Sequence, residues 1–151
     1  MIIRAAQAGE AGLLSELAMR SKAYWGYDEA FMAACREELT LPAAEVTARR
    51  ARVAEEDGGA VVGFATLEGD APEGEVGLFF VAPEAMGRGV GRSLFRHLAS
   101  DAAELGFRRL TIDSDPNAEP FYRAMGAVRI GSTPSGSISG RMLPLLEYQV
   151  V

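Results

Sequence analysis

The sequence predicts a mixed α/β fold of the α+β kind, with helices packed on a central sheet. Three observations predict it. Apolar residues recur at helical spacing in several stretches. Three β-like runs follow one another between residues 51 and 82. The element order reads strand, helix, helix, three strands, helix, strand, helix, strand, strand, the signature of a sheet with helices laid against it. At 151 residues, 48% of them hydrophobic, the chain suits one core and is expected to form a single domain over 1–151.

Residues 1–6 open as a short strand. Residues 9–25 place Leu13, Leu14, Leu17 and Met19 near one helical face. A second helix follows Gly26 in "DEAFMAACREEL", with Asp28 as N-cap and acidic residues in its first turn, where the helix dipole favours them. Pro42 to Arg49 reads either as a short helix or as a loop. Gly58-Gly59 between β-like runs signals a hairpin, and "GDAPEG" separates the next two strands, giving an antiparallel meander. A helix from about Gly89 to Leu105 turns Leu94, Phe95, Leu98, Ala102 and Leu105 inward, and Gly106 stops it. "RRLTID" is a strand. In "SDPNAEPFYRAMGA", Asn117 caps a short helix, Pro120 falls in the first turn where a missing N–H is harmless, and Gly126 ends it. A strand near 127–131, the polar loop "GSTPSGSISG" and a last strand broken by Pro144 complete the chain.

A formal net charge of −6 argues against non-specific nucleic-acid binding, which needs a basic surface. An acidic surface can attract amine-bearing molecules. The one cysteine, Cys35, allows no internal disulfide and reads as a small packing residue in a helix. No apolar run approaches the ~20 residues of a membrane span, and "MIIRAAQAGE" lacks a signal-peptide core. The expectation is a cytoplasmic protein without a membrane or nucleic-acid partner. The sole histidine, His97, lies one position off the inward series and reads as a rim residue. No clustered metal ligands are visible. The final strand is a candidate homodimer element, with no single residue to argue for it.

The most informative stretch is "MGRGVGRSL", Met86 to Leu94, which sets three glycines at alternate positions at the mouth of a helix. Glycine inside regular structure is unfavourable by roughly 0.5–1 kcal/mol relative to alanine. A helix N-terminus, however, offers unpaired N–H groups and partial positive charge, and glycines clear the approach for a phosphate. Arg88 and Arg92 add charge at the edge. A Walker-type loop would need lysine where Arg92 stands, and a Rossmann loop would need glycine there.

"VGLFFVAPEAMGRGVGRSLFRHL" resembles the coenzyme A-binding stretch of the GNAT superfamily of acyl-CoA N-acyltransferases: a hydrophobic strand, a turn with proline, then Gln/Arg-x-x-Gly-x-Gly/Ala and a helix. "NAEPFYRAMGA" is similar to the family's second hallmark, an Asn followed by an aromatic-Tyr pair and a glycine. The element order extends the likeness over nearly the whole chain. Met86 departs from the usual Gln or Arg.

The resemblance implies a mostly antiparallel sheet and an enzyme that transfers the acetyl group of acetyl-CoA to a primary amine by direct attack through a tetrahedral intermediate. A non-catalytic acyl-CoA-binding or sensing domain is the alternative. Gly87, Arg88, Gly89, Val90, Gly91 and Arg92 would hold the pyrophosphate. The backbone of Phe80 and Val81 would pair with the pantetheine arm, and Asn117 would hydrogen-bond it. Tyr122 would protonate the leaving thiolate; the other reading makes it a core tyrosine. Glu75 is the candidate base or a solvated strand-start residue, with Glu73, Asp113 and Asp115 as competitors. Tyr24, Trp25 and Tyr27, clustered around Gly26, would wall the acceptor site, as would Arg141 from the polar loop. Trp25 reads equally as a core anchor.

Overall fold

The computed structural model describes residues 1–151. One seven-stranded sheet runs through it in the order β1-β2-β3-β4-β5-β7-β6. Its strands are β1 (Ile2–Ala5), β2 (Arg52–Glu55), β3 (Val61–Asp70), β4 (Glu73–Val81), β5 (Arg109–Asp113), β6 (Val128–Pro134) and β7 (Met142–Gln149). Only β4 and β5 run parallel; every other neighbour is antiparallel. The helices are α1 (Ala11–Ala23), α2 (Glu29–Leu39), α3 (Val90–Glu104) and α4 (Glu119–Ala124).

The sheet is covered on both faces. Leu14, Leu17 and Leu39 of α1 and α2 pack with Val53, Phe64 and Leu78. Leu94, Phe95 and Leu98 of α3 pack with Ala65, Leu67, Leu110 and Ile112. Phe64 and Ala65 enter different clusters because successive strand residues point to opposite faces.

Local signals set the element ends. The Asp28 carboxylate accepts the Phe31 N–H at 2.8 Å and starts α2. Gly106, at φ 88°, closes α3 in the left-handed conformation that favours glycine. At the β2–β3 turn, Glu56 N–H reaches Ala60 O and Gly59 N–H reaches Glu56 O. Pro42 to Arg49 resolves into a 3-10 turn at Ala43–Glu45 and further turns. Four expectations are corrected. Leu13 and Leu105 are exposed, one early in α1 and the other just past α3, where the apolar stripe has rotated out. Pro144 does not break β7: it lies in register with Ser132, and its carbonyl accepts the Ser114 N–H at 2.9 Å. Asn117 does not cap α4. That turn is closed by Asp115, whose carboxylate accepts the Asn117 N–H at 2.8 Å.

One irregularity positions everything that follows. From Ala65↔Phe79 to Leu67↔Val76, two steps along β3 match three along β4, so β4 carries one extra residue. A bulge of this kind bends and twists its strand. The buried Thr66 stabilises it: its hydroxyl accepts the Leu78 N–H at 2.8 Å, doing the work of a missing backbone acceptor. The β4–β5 ladder ends next to this bulge, at Val76↔Ile112. Beyond it, the C-terminal half of β4 has β3 on one side and an open gap on the other.

Candidate active site

The gap widens into a cleft of about 810 Å³ that runs from the start of α3 to the α1–α2 connection. At the first end the backbone forms the wall. Gly87 and Gly89 adopt φ 79° and 82°, a turn that brings the chain into α3 with its amides outward. The first hydrogen bond of the helix is Ser93 N–H to Gly89 O. Hence the N–H groups of Gly87 through Arg92 have no acceptor within the chain. Gly91 packs against α4: a Cβ there would sit 3.1 Å from the Phe121 ring. Met86 spends its N–H on Pro83 O.

Strand alternation decides which β4 groups face the gap. Ala82 N–H donates to Val62 O at 2.8 Å, so Ala82, and Phe80 two residues before it, direct their backbone groups at β3. Val81 and Phe79 therefore turn theirs to the unpaired side. Of the expected pair Phe80 and Val81, only Val81 offers its backbone to the gap, with Phe79 as its companion.

Tyr122 stands deeper in the cleft, on α4, only 6% exposed and ringed by Phe79, Phe95 and Phe121. Its hydroxyl makes no hydrogen bond within the chain. Burial, reinforced by the nearby Asp115 carboxylate, pushes the phenol well above its usual range and keeps it protonated.

At the other end the wall is made of side chains. Asp115 accepts Lys22 Nζ at 2.9 Å, Tyr27 Oη at 2.8 Å and Asn117 Nδ2 at 2.9 Å. Arg141 donates to Tyr27 Oη at 2.8 Å and lies over the Tyr27 and Phe31 rings. Burial raises the Asp115 carboxyl, but the hydrogen bonds from Lys22 and the Asn117 backbone outweigh it and hold the group below the usual carboxylate range. Glu75 shows the opposite balance. Burial, then the Glu68 and Asp113 charges, raise it, and Arg49 only partly offsets them.

The sequence matches the Acetyltransferase (GNAT) family over residues 15–127. The chain belongs to that family. No curated protein matches it by sequence. Its fold is similar to a GCN5-related N-acetyltransferase from Rhodopseudomonas palustris, at TM-score 0.80 and 24% identity over 98% of this chain and 94% of that one. The PaiA N-acetyltransferase of Thermoplasma acidophilum, solved with coenzyme A, matches at 0.78 and 17% identity over 98% of both chains. The yncA acetyltransferase of Salmonella typhimurium, solved with acetyl-CoA, matches at 0.70 and 22% over 100% of this chain and 94% of that one.

In this GNAT-family chain, Glu75, Phe80, Val81, Gly87, Gly89, Gly91, Arg92, Asn117, Tyr122, Trp25 and Arg141 all line the cleft. Arg92 makes no ion pair there. The side chains of four other expected residues do not line the cleft directly, although the Arg88 and Val90 amides stay in the row before and at the start of α3 and Tyr27 supports the wall through Asp115. Arg88 pairs with Glu56 on the β2–β3 hairpin side, and the Val90 side chain is buried in the core. Tyr24 is exposed, edge-on to Trp25 at 5.2 Å, and Tyr27 acts through its hydroxyl on Asp115 and Arg141. Trp25 is exposed to the cleft rather than anchoring the core. His97 is half-exposed, 3.7 Å from Asp101. Sequence reasoning missed Lys22 and Phe79. The first is tied to a residue 93 positions away, and the second depends on strand phase.

Proposed function

We propose that residues 1–151 form one N-acetyltransferase domain that moves the acetyl group of acetyl-CoA to a primary amine. The observation that carries this reading is the end of the β4–β5 ladder at Val76↔Ile112, in the same cleft as a row of unpaired amides leading into α3. A strand-like pantetheine arm fits the first feature and a pyrophosphate the second.

In this reading the N–H groups of Gly87 to Arg92 grip the pyrophosphate and Arg92 adds a free positive charge. Met86 in place of Gln or Arg matters little, because the cradle is made of backbone. Phe79 and Val81 hydrogen-bond the pantetheine arm. The Val81 N–H, aimed at the thioester carbonyl, stabilises the oxyanion as the amine attacks; one such donor is worth about 3 kcal/mol. An alkyl amine has a pKa near ~10 and is mostly protonated at neutral pH. Glu75, its own affinity for protons raised, takes the amine proton directly or through water. Tyr122, kept protonated by burial, donates its hydroxyl hydrogen to the departing thiolate.

Calorimetry with coenzyme A, followed by thiol release from acetyl-CoA with a panel of amines, tests the reading. Binding with release is expected. Binding without release for every amine points to a sensing domain, and absence of binding removes the reading.

A further inference from the structure

Glu68, Glu75 and Asp113 stand on three neighbouring strands, and the register puts them on one face. Glu68 is the direct cross-strand partner of Glu75. Glu75 in turn pairs with Thr111, two residues before Asp113. Register partners share a face of a sheet, and so do residues two apart on a strand. Like charges directly opposite one another destabilise a sheet, so the row is a standing strain on the fold. Arg49 pairs with its first member, at 2.8 Å from Glu68, and offsets the second only in part. Glu75 and Asp113 have no ion pair and no hydrogen bond; burial and neighbouring carboxylates act on both, and only Glu75 is partly offset, by the charge of Arg49. Glu38 adds a third carboxylate without a cation, reaching the cleft from the end of α2 with only the Ser137 hydroxyl as donor.

The remaining cations of the cleft are committed elsewhere. Lys22 and Arg141 are held by Asp115 and Tyr27, and Arg92 lies at the coenzyme end. In the same cleft, the partnerless hydroxyl of the buried Tyr122 marks where a bound molecule must reach.

Resting on the acetyl-transfer reading, we infer that the acceptor carries a second positive charge: a diamine-like substrate, acetylated on the nitrogen that faces Glu75 while its distal ammonium lies between Glu38 and Asp113. The near nitrogen forms the C–N bond and the thioester C–S bond breaks. The amine proton passes to Glu75, and the thiolate takes the Tyr122 proton. The distal ammonium keeps its charge throughout and relieves the carboxylate row.

The test compares three amines of matched length, differing only at the far end: putrescine with an ammonium, n-butylamine with a methyl group and γ-aminobutyrate with a carboxylate. Putrescine is expected to exceed n-butylamine in kcat/KM by about tenfold or more, the scale of a charged hydrogen bond. Glu38→Gln and Asp113→Asn should each pull that ratio toward one, with coenzyme A binding checked in both to show that they fold. Calorimetric affinity of the three amines for the coenzyme A-bound protein, which needs no turnover, should follow the same order. Equal kcat/KM for putrescine and n-butylamine, a preference for γ-aminobutyrate, or an unchanged ratio in both variants overturns the inference. Failure of the acetyl-transfer reading looks different: no amine releases thiol, while the calorimetric order still reports whether the acidic row selects a dication.

Discussion

The two ends of the cleft are built from different materials. The α3 end is main chain: six consecutive amides from Gly87 to Arg92, shaped by two left-handed glycines and scarcely dependent on which side chains stand there. The α1–α2 end is side chain throughout, with Asp115 joining Lys22, Tyr27 and Asn117 and a row of carboxylates on the sheet beside it. A backbone-lined cradle suits a partner that never changes. A wall of charged side chains can be re-specified by a few substitutions. That contrast explains why one end can be assigned to a coenzyme from its shape, whereas the other discloses only charge.

The largest expected effect breaks the backbone end alone. Gly89→Asp forces a side chain onto φ 82° and places negative charge in the cradle; coenzyme A affinity should fall by at least about a hundredfold, read by calorimetry. Unchanged affinity would move the anion site elsewhere.

Next comes the residue between the two ends. Tyr122→Phe keeps the ring among Phe79, Phe95 and Phe121 and removes only the hydroxyl; kcat should drop about a hundredfold with little change in coenzyme A affinity. Equal loss of both would make the tyrosine a packing group.

The smallest effect probes the side-chain end. Asp115 is held below its unfolded value, so it adds stability above the unfolded carboxylate range, and that contribution is lost as pH falls through its folded value. Asp115→Asn should lower stability at neutral pH by about 2 kcal/mol in denaturant titrations. The gap between wild type and variant should narrow in acid. A gap independent of pH would mean that the carboxylate charge is not what holds the loops together.

The same contrast governs how much could be read from the chain. The glycine cradle, the Asp28 cap and the Gly106 stop are local devices whose residues lie within a few positions of their partners, and so they are legible in one line of sequence. The β4 bulge is not read from the chain, although Gly77 marks it: a Cβ there would run into the Glu68 and Thr66 side chains, which lie on another strand. It arises where Thr66, on another strand, supplies a hydroxyl to the Leu78 amide. The choice of Phe79 and Val81 over Phe80 follows from the phase of that ladder. Asp115 looked like one acid among several, and only folding brings Lys22, Tyr27 and Arg141 to it. Asn117 was misread as a cap for the same reason: an acidic neighbour two residues earlier competes for the same turn. Pro144 looked like a strand breaker only because the pairing of its carbonyl cannot be seen in the chain.

Thr66 also determines how the cleft comes into being. Because its hydroxyl takes the place of a backbone acceptor for the Leu78 amide, the bulge beside which the two parallel strands part is held by the chain's own hydrogen bonds. In the acetyl-transfer reading, a thioester would find that gap framed by the sequence of β3 and β4 and would have no ladder to break on entering it.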